Sequence, residues 1–388
     1  MEGDFIKIND WLSPLSWLYG IGVRFRNFLF DIGVLKSRSF DVPIISVGNI
    51  TVGGTGKTPH VEYLISLLQK QVRVAVLSRG YKRKTKGFVL ADSDTTARDI
   101  GDEPYQMKQK FPGVTVAVDQ NRVEGIEMLT EQDKQLDVIL LDDAFQHRYV
   151  KPGINILLVD YHRLIIYDKL LPAGRLREPL SGKNRADIVI VTKCPRDLKP
   201  MEYRVITKAM DLFPYQQLYF TMLDYEPMRL LYYKGTRAMA DIKPDEHVLL
   251  LTGIASPRQL MEDLSPITPH LTPLSFPDHH SFTKKDIRRI NEVFARLPQP
   301  KSIITTEKDA ARLSDSGQLS DEVRQNIYVL PVKIAFMLDH EELFNDNIIG
   351  YVRKNSRNSI LVKGKNDNKP QDSHRAGDGP RTISFRNN

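Results

Sequence analysis

The sequence predicts an α/β chain with a P-loop-type α/β/α N-terminal domain, a second, smaller α/β/α unit joined to it by a β-ribbon, and an amphipathic helix in front. Three observations carry this. Short apolar runs alternate with helically spaced ones, as when Pro43–Val47 is followed by Val61, Leu64, Ile65 and Leu68, the pattern of strands feeding crossover helices. A glycine-rich stretch, SVGNITVGGTGKTP at 46–59, joins that first strand to that first helix. Beyond about Lys199 the pattern changes: 216–233 alternates aromatic and apolar positions like a ribbon, and further strands and helices follow without a phosphate loop.

A chain of 388 residues suggests two domains, on a prior of roughly 100–200 residues each. With 41% hydrophobic and 27% charged residues, it is globular rather than disordered or fibrous. The single cysteine, Cys194, can form no internal disulfide, which favours the cytosol and leaves no cysteine-pair zinc site. The net charge of +7 suggests nucleic acid or anionic lipid until it is located. Residues 353–388 hold nine Lys/Arg and three Asp/Glu, 9 − 3 = +6. Most of the excess lies in a polar tail that reads as a disordered extension, so it argues for no basic groove.

At the N-terminus, Trp11, Leu15, Leu18, Phe25, Leu29 and Ile32 recur at helical spacing, with Arg24, Asn27 and Asp31 on another face. The apolar stretch from Trp11 to Val23 is followed by arginines and has no small-residue cleavage site, so it reads as retained rather than as a signal peptide. No apolar run reaches the 18–20 residues of a spanning helix. Periodicity alone leaves open whether the stripe packs on the protein or lies in a membrane interface.

In the strand-to-helix setting of 46–59, glycines let backbone N–H groups converge on an anion at a helix N-terminus. Thr51, Val52, Gly53, Gly54, Thr55, Gly56, Lys57 and Thr58 are the candidate phosphate-binding residues. Lys57 reaches terminal phosphates, and the Thr58 hydroxyl holds a magnesium ion. The strict G-x-x-x-x-G-K-[ST] pattern asks for glycine where Thr51 stands. A metal partner comes from Asp137 to Asp143, an apolar strand ending in two carboxylates. Either Asp142 or Asp143 is expected on magnesium, since α/β sheets gather ligands at their C-terminal edge.

Several further motifs surround these. GDEP at 101–104 offers Asp102 and Glu103, and AFQHR at 144–148 sets Gln146 and His147 beside the acidic pair. Arg175 and Arg177 in LLPAGRLREP form a possible anion clamp. The strand at 186–193 lacks Asn-Lys-x-Asp, so GTP specificity is not supported. FPDHHSFT at 276–283 brings His279 and His280, either of which could be a proton-transfer partner across a cleft.

Taken in order, SVGNITVGGTGKTP, SRGYKRK, GDEPYQM, LLDDAFQHR, LLPAGRLREP, IVTKCP and FPDHHSFT resemble the tetraacyldisaccharide 4'-kinase family, the lipid A 4'-kinases of Gram-negative bacteria. The resemblance runs from the N-terminal helix to about residue 350, leaving the basic tail outside. It implies transfer of the γ-phosphate of ATP, with Mg2+, to the 4'-hydroxyl of a tetraacyldisaccharide 1-phosphate, by a peripheral enzyme at the cytosolic face of the inner membrane, with no nucleic-acid partner. It also implies that threonine at 51 belongs to this family's loop and that the N-terminal helix serves the membrane. By position, Lys57 and Thr58 serve phosphate and magnesium, and Asp142 or Asp143 the metal. Asp102 takes or orients the hydroxyl proton, paired with a histidine for which His280 is preferred over His279. Glu103, Gln146 and His147 line the cleft, His147 being a further catalytic candidate. The implied division is 1–40 for the membrane helix, 41–210 for the kinase domain, 211–352 for the second domain with its ribbon, and 353–388 for the tail. The competing reading is a P-loop regulatory NTPase at the membrane surface.

Overall fold

The computed structural model describes residues 8–254, 257–278, 280–313 and 319–356. Helix α1 (Ser13–Asp31) precedes β1 (Ile44–Gly48), which leads through the glycine loop into α2 (Lys57–Leu68). Next come β2 (Val74–Ser78), β3 (Val89–Leu90), α3 (Ala97–Ile100), α4 (Asp102–Lys110), β4 (Thr115–Val118), α5 (Arg122–Gln132), β5 (Val138–Asp142) and β6 (Ile154–Asp160). The first half closes with β7 (Ile188–Thr192), α6 (Pro200–Met210) and β8 (Gln217–Tyr225). A smaller sheet is built from β9 (Met228–Leu230), β10 (Thr236–Arg237), β11 (His247–Thr252), β12 (Leu271–Ser275), β13 (Lys301–Thr306) and β14 (Ile327–Leu330), with α7 (Arg258–Leu264), α8 (Lys284–Ala295), α9 (Glu307–Leu313) and α10 (Asp321–Asn326) between them. The described chain ends with β15 (Val332–Phe336) and α11 (Glu341–Asn355).

The first sheet runs β15-β8-β7-β6-β1-β5-β2-β4-β3. Its central strands are parallel and buried throughout, which is why they read as unbroken apolar runs rather than alternating ones. Ile45 and Val47 enter a core beneath α2, while Ile44 faces the opposite core beside α5. Because β5 and β6 flank β1 on opposite sides, the chain diverges there and opens a crevice at the strand ends. The second sheet, β10-β9-β14-β13-β11-β12, has a parallel centre and an antiparallel edge.

The ribbon differs from the sequence expectation. Residues 216–233 form no local hairpin: β8 pairs in parallel with β7 and in antiparallel with the distant β15, whereas β9 joins the second sheet. The range 211–352 is therefore divided between the sheets. Helix α11 returns to the first unit, sinking Phe344, Ile348 and Val352 into the core that holds Ile45, Ile156 and Ile188. Alternation identifies a strand but carries no information about which strand it pairs with.

Helix α1 docks on the body through two small residues and one aromatic ring, Phe30, which packs against Tyr149. Ser16, Gly20 and Phe30 are its buried residues. Ser16 Oγ donates to Leu170 O at 3.0 Å and accepts from Ala173 N at 2.8 Å, and Arg148 pairs with Asp31 at 2.6 Å. Most of the predicted stripe faces outward, with Trp11, Leu15, Leu18, Phe25 and Ile32 exposed alongside Trp17, which is 64% accessible.

Candidate functional site

The glycine loop is shaped by its own side chains before any ligand arrives. Asn49, fully buried, donates from Nδ2 to Thr55 Oγ1 at 2.9 Å and Thr51 Oγ1 at 3.3 Å. Threonine at 51 thus has a job that glycine lacks. The loop backbone is braced from outside: Val52 N donates to Arg175 O at 2.8 Å, Thr192 Oγ1 to Thr55 O at 3.0 Å, and Gln146 Nε2 to Asn49 O at 2.6 Å. Lys193 donates to Gly54 O and pairs with Asp160 at 2.7 Å. Gly56, at φ 80, takes the left-handed turn into α2 that a side chain would strain. No side chain caps α2, so its first N–H groups and positive dipole end face the crevice, as an anion site requires.

His60 ties this loop to the ribbon. Its Nδ1 lies 2.7 Å from Gly56 O and its Nε2 3.1 Å from Thr221 Oγ1. Burial lowers its pKa to about 4, so the ring is neutral, donating to the carbonyl and accepting from the hydroxyl.

At the mouth of β5, Lys57 Nζ stands 3.5 Å from Asp143 Oδ1, and Arg177 Nη1 lies 3.6 Å from Asp143 Oδ2. Asp143 is a non-glycine residue at φ 48, a strained geometry that turns its carboxylate toward the loop. Burial opposes its ionisation, but the charges of Lys57, Arg177 and Arg122 outweigh that and hold its carboxyl below the ordinary range. Asp142 behaves in the opposite way. Burial first, then the charges of Glu103 and Asp143, raise its pKa to about 7. Ser78 Oγ donates to its Oδ2 at 2.9 Å, while its Oδ1 has no hydrogen-bond partner among the described residues. Three crowded carboxylates with an orphaned oxygen suit a bound cation. No cluster of three or more His, Cys, Asp or Glu preformed for a metal occurs among the described residues. Magnesium needs none, since it keeps waters and takes phosphate oxygens beside one or two carboxylates.

The crevice holds a cavity of about 260 Å³. The loop from Gly54 to Pro59 forms one wall, Glu62, Glu103 and Gln106 another, and Leu223, Tyr225 and Val332 of the ribbon a third. Leu260, Asp278 and Lys308 close it from the second unit. Glu62 is deeply buried and its pKa is raised to about 7 by that burial, in spite of Lys110 at 2.8 Å. Lys110 is shared with Glu307 at 3.3 Å. Facing two carboxylates, its own pKa rises even though burial pushes the other way.

Asp102 opens α4 beside this cavity, where Gly101 at φ 92 brings the backbone close to Tyr81. Arg312 of α9 donates to its Oδ2 from Nε at 2.9 Å and Nη2 at 2.7 Å, and Lys308 pairs with Glu103 at 3.0 Å. The expected pairing of Asp102 with His280 is not what the described contacts contain. His280 Nε2 lies 2.9 Å from Asp286 Oδ2 at the start of α8, and its ring stacks on Phe276 at 4.9 Å. A carboxylate that also serves the cap of α8 holds the ring. His279 lies outside the described residues.

His147 also departs from expectation. It does not line the cavity beside the loop but a second one of about 330 Å³, with Ser46, Arg148, Asn155 and Arg185. Burial, then the charge of Arg122, lowers its pKa to about 4. A one-residue step along the 144–148 turn separates it from Gln146, which does reach the loop. Sequence reasoning overlooked Lys193, Glu62 and Arg312. Only Lys193 carried a local signal, as the polar end of an apolar strand.

A family model described as Tetraacyldisaccharide-1-P 4'-kinase matches residues 8–380, beyond the limit near 350 expected from the motifs and into the basic tail. The chain is 61% identical over 363 residues to a Tetraacyldisaccharide 4'-kinase of Phocaeicola vulgatus, covering 92% of this chain and 99% of that one. It is 53% identical over 377 residues to the protein of that name from Bacteroides thetaiotaomicron, covering 94% and 99% respectively. Among solved structures, LpxK from Aquifex aeolicus in complex with ATP superposes with a TM-score of 0.68 at 30% identity, over 89% of this chain and 99% of that one.

Proposed function

The chain belongs to the tetraacyldisaccharide 4'-kinase family, an ATP-dependent lipid A kinase that phosphorylates the 4'-hydroxyl of a tetraacyldisaccharide 1-phosphate, and from that premise we propose how its crevice acts. The observation that carries the proposal is that Lys57, at the uncapped N-terminus of α2 and in the wall of the cavity, reaches the carboxylate of Asp143 at the end of β5.

Phosphoryl transfer asks a protein mainly for in-line positioning and for positive charge around the moving group. The amides of 51–56 and the α2 dipole receive the phosphates, and Lys57 swings from Asp143 to the terminal one. The apolar side chains of Leu223, Leu260 and Val332 suit the nucleotide base. Thr58 and Asp142 or Asp143 would hold a magnesium ion, which would supply charge neutralisation to the phosphate oxygens. As the acceptor oxygen bonds to phosphorus and the bond to the leaving diphosphate breaks, Asp102 accepts the hydroxyl hydrogen bond and collects its proton late. Arg177, beside Asp143, is placed for an anionic group of the acceptor or donor.

The acceptor's acyl chains remain in a bilayer, so the enzyme works at its surface. No helix among the described residues is long and apolar enough to cross a membrane. The outward apolar stripe of α1 supports a helix lying in the interface plane. Use of ATP supports the cytosolic face of the inner membrane. The units 41–210 and 211–352 remain our functional division, with β15 and α11 structurally joined to the first. The test is where the label goes when the enzyme meets γ-labelled ATP, magnesium and the disaccharide lipid. Label on the lipid 4'-position is expected; release only as inorganic phosphate, stimulated by a protein, would favour the regulatory NTPase.

A further inference from the structure

Helices α4 and α9 face each other across the crevice with opposite charges. Lys308 and Arg312 stand one turn apart on α9, against Glu103 and Asp102 in the first turn of α4. The Arg312 side chain is only 7% exposed. Its Nη1 donates to Gly253 O and to Asp309 Oδ1, both at 3.2 Å. Asp309 is fully buried and is itself fixed by Gly253 N at 2.9 Å and Thr306 Oγ1 at 2.8 Å. The guanidinium is thus anchored at the ends of β11 and β13 before it reaches the other unit. There it sends two N–H groups to one oxygen, Oδ2 of Asp102.

We propose that Arg312 is the positioning residue through which the second α/β unit orients Asp102 for phosphoryl transfer. The inference rests on the reading that Asp102 receives the acceptor hydroxyl. A carboxylate oxygen has two lone pairs in its plane. Two guanidinium N–H groups on Oδ2 fix the plane of the carboxylate that faces the hydroxyl. A planar, rigid fork does this as a flexible ammonium does not. The arrangement exists only while α4 and α9 are together, so Asp102 is held in its working orientation in the closed crevice alone. The second unit thereby contributes to the chemistry without supplying a group that touches the reacting atoms.

The experiment compares Arg312→Ala, Arg312→Lys and Asp102→Asn in the full chain, with ATP and lipid varied separately. Arg312→Ala is expected to lower kcat by about 10²-fold while leaving the KM for ATP within about threefold, as loss of orientation does. Arg312→Lys should fall between. Methylguanidinium added to Arg312→Ala should restore part of kcat, and should do nothing for Asp102→Asn. If the alanine variant unfolds, Arg312→Ala with Asp309→Asn removes the stranded buried carboxylate and takes the same measurements. Unchanged kcat in Arg312→Ala beside an inactive Asp102→Asn overturns the positioning role and leaves the base reading intact. Full turnover in Asp102→Asn removes the base reading itself. A lowered kcat that methylguanidinium does not touch, accompanied by a lowered melting temperature, reduces Arg312 to a structural tie and overturns the proposal.

Discussion

Lys57 Nζ and Asp143 Oδ1 stand 3.5 Å apart, joining the loop after β1 to the end of β5. The adjacent parallel pairing of the two strands brings Val47 beside Asp142. The ammonium is therefore held against a carboxylate at the edge of the glycine loop, from which, on the function proposed above, a short swing would deliver it to a terminal phosphate.

Lys57→Ala is expected to lower kcat by about 10²–10³-fold, the usual cost of losing one preorganised charge at a transition state. Asp143 keeps Arg177 at 3.6 Å in that variant, so thermal unfolding should move little. Steady-state kinetics beside a melting curve checks both halves, and near-normal turnover would detach Lys57 from the chemistry.

Gly101 offers a test of Asp102 that leaves its carboxylate in place. At φ 92 the residue is in a region side chains avoid, and a Cβ there would stand 2.9 Å from Tyr81 O. Gly101→Ala should cost about 1–3 kcal/mol of backbone strain and tilt the first turn of α4. Turnover should fall further than binding of a fluorescent nucleotide analogue, because the phosphate cradle lies on another element. Equal losses in the two measurements would mean that α4 serves the whole fold rather than the chemistry.

Much of the first unit was legible because its strands are buried on both faces and its glycine loop is a local pattern: the residues from Thr51 to Thr58 are contiguous between β1 and the start of α2. The acidic pair was legible for the same reason. What could not be read were relationships between distant segments. β8 finds its antiparallel partner at β15, more than 100 residues away, and Arg312 looks like an ordinary helical arginine until α9 packs against α4. An Asp-His-His run names a chemistry without naming the partner: His280 is held by Asp286 at the start of α8, and His279 lies outside the described residues. The amphipathic period of α1 was right, but periodicity is blind to which side meets the protein.

Glu62 gives the cavity a pH dependence whose sign follows from burial. Its folded pKa, raised to about 7 from an ordinary 4.5, means the native state holds a proton that the unfolded chain has released between those values. Stability must therefore fall as pH rises through that window and level off above it. Glu62→Gln should remove the slope, leaving the variant more stable than the parent by about 1–3 kcal/mol at pH 8 and nearly equal to it near pH 4.5. Urea unfolding at the two pH values reads the difference directly. A parent that gains stability across the window relative to Glu62→Gln would show that Lys110, not burial, controls the group.

The last prediction concerns the outward face of α1. Trp17 and Phe25 are 64% and 61% exposed, and the contacts that hold the helix run instead through Ser16, Tyr19 and Asp31. Trp17→Ser with Phe25→Ser should thus alter folding stability by no more than about 0.5 kcal/mol per site, as for other surface positions away from a packed contact. Membrane affinity should respond quite differently. Each aromatic ring buried among lipid is worth about 1.5–3 kcal/mol, so the double variant should bind vesicles at least about 100-fold more weakly. The apparent KM for lipid should rise while the KM for ATP is unchanged, because the two substituted rings face outward rather than into the body. Vesicle sedimentation, followed by kinetics with lipid presented in bilayers and then in detergent, distinguishes the cases: the defect should largely vanish in detergent, where no surface has to be found. Undiminished vesicle binding would leave the exposed stripe without a membrane role and return α1 to a tether held by its polar face.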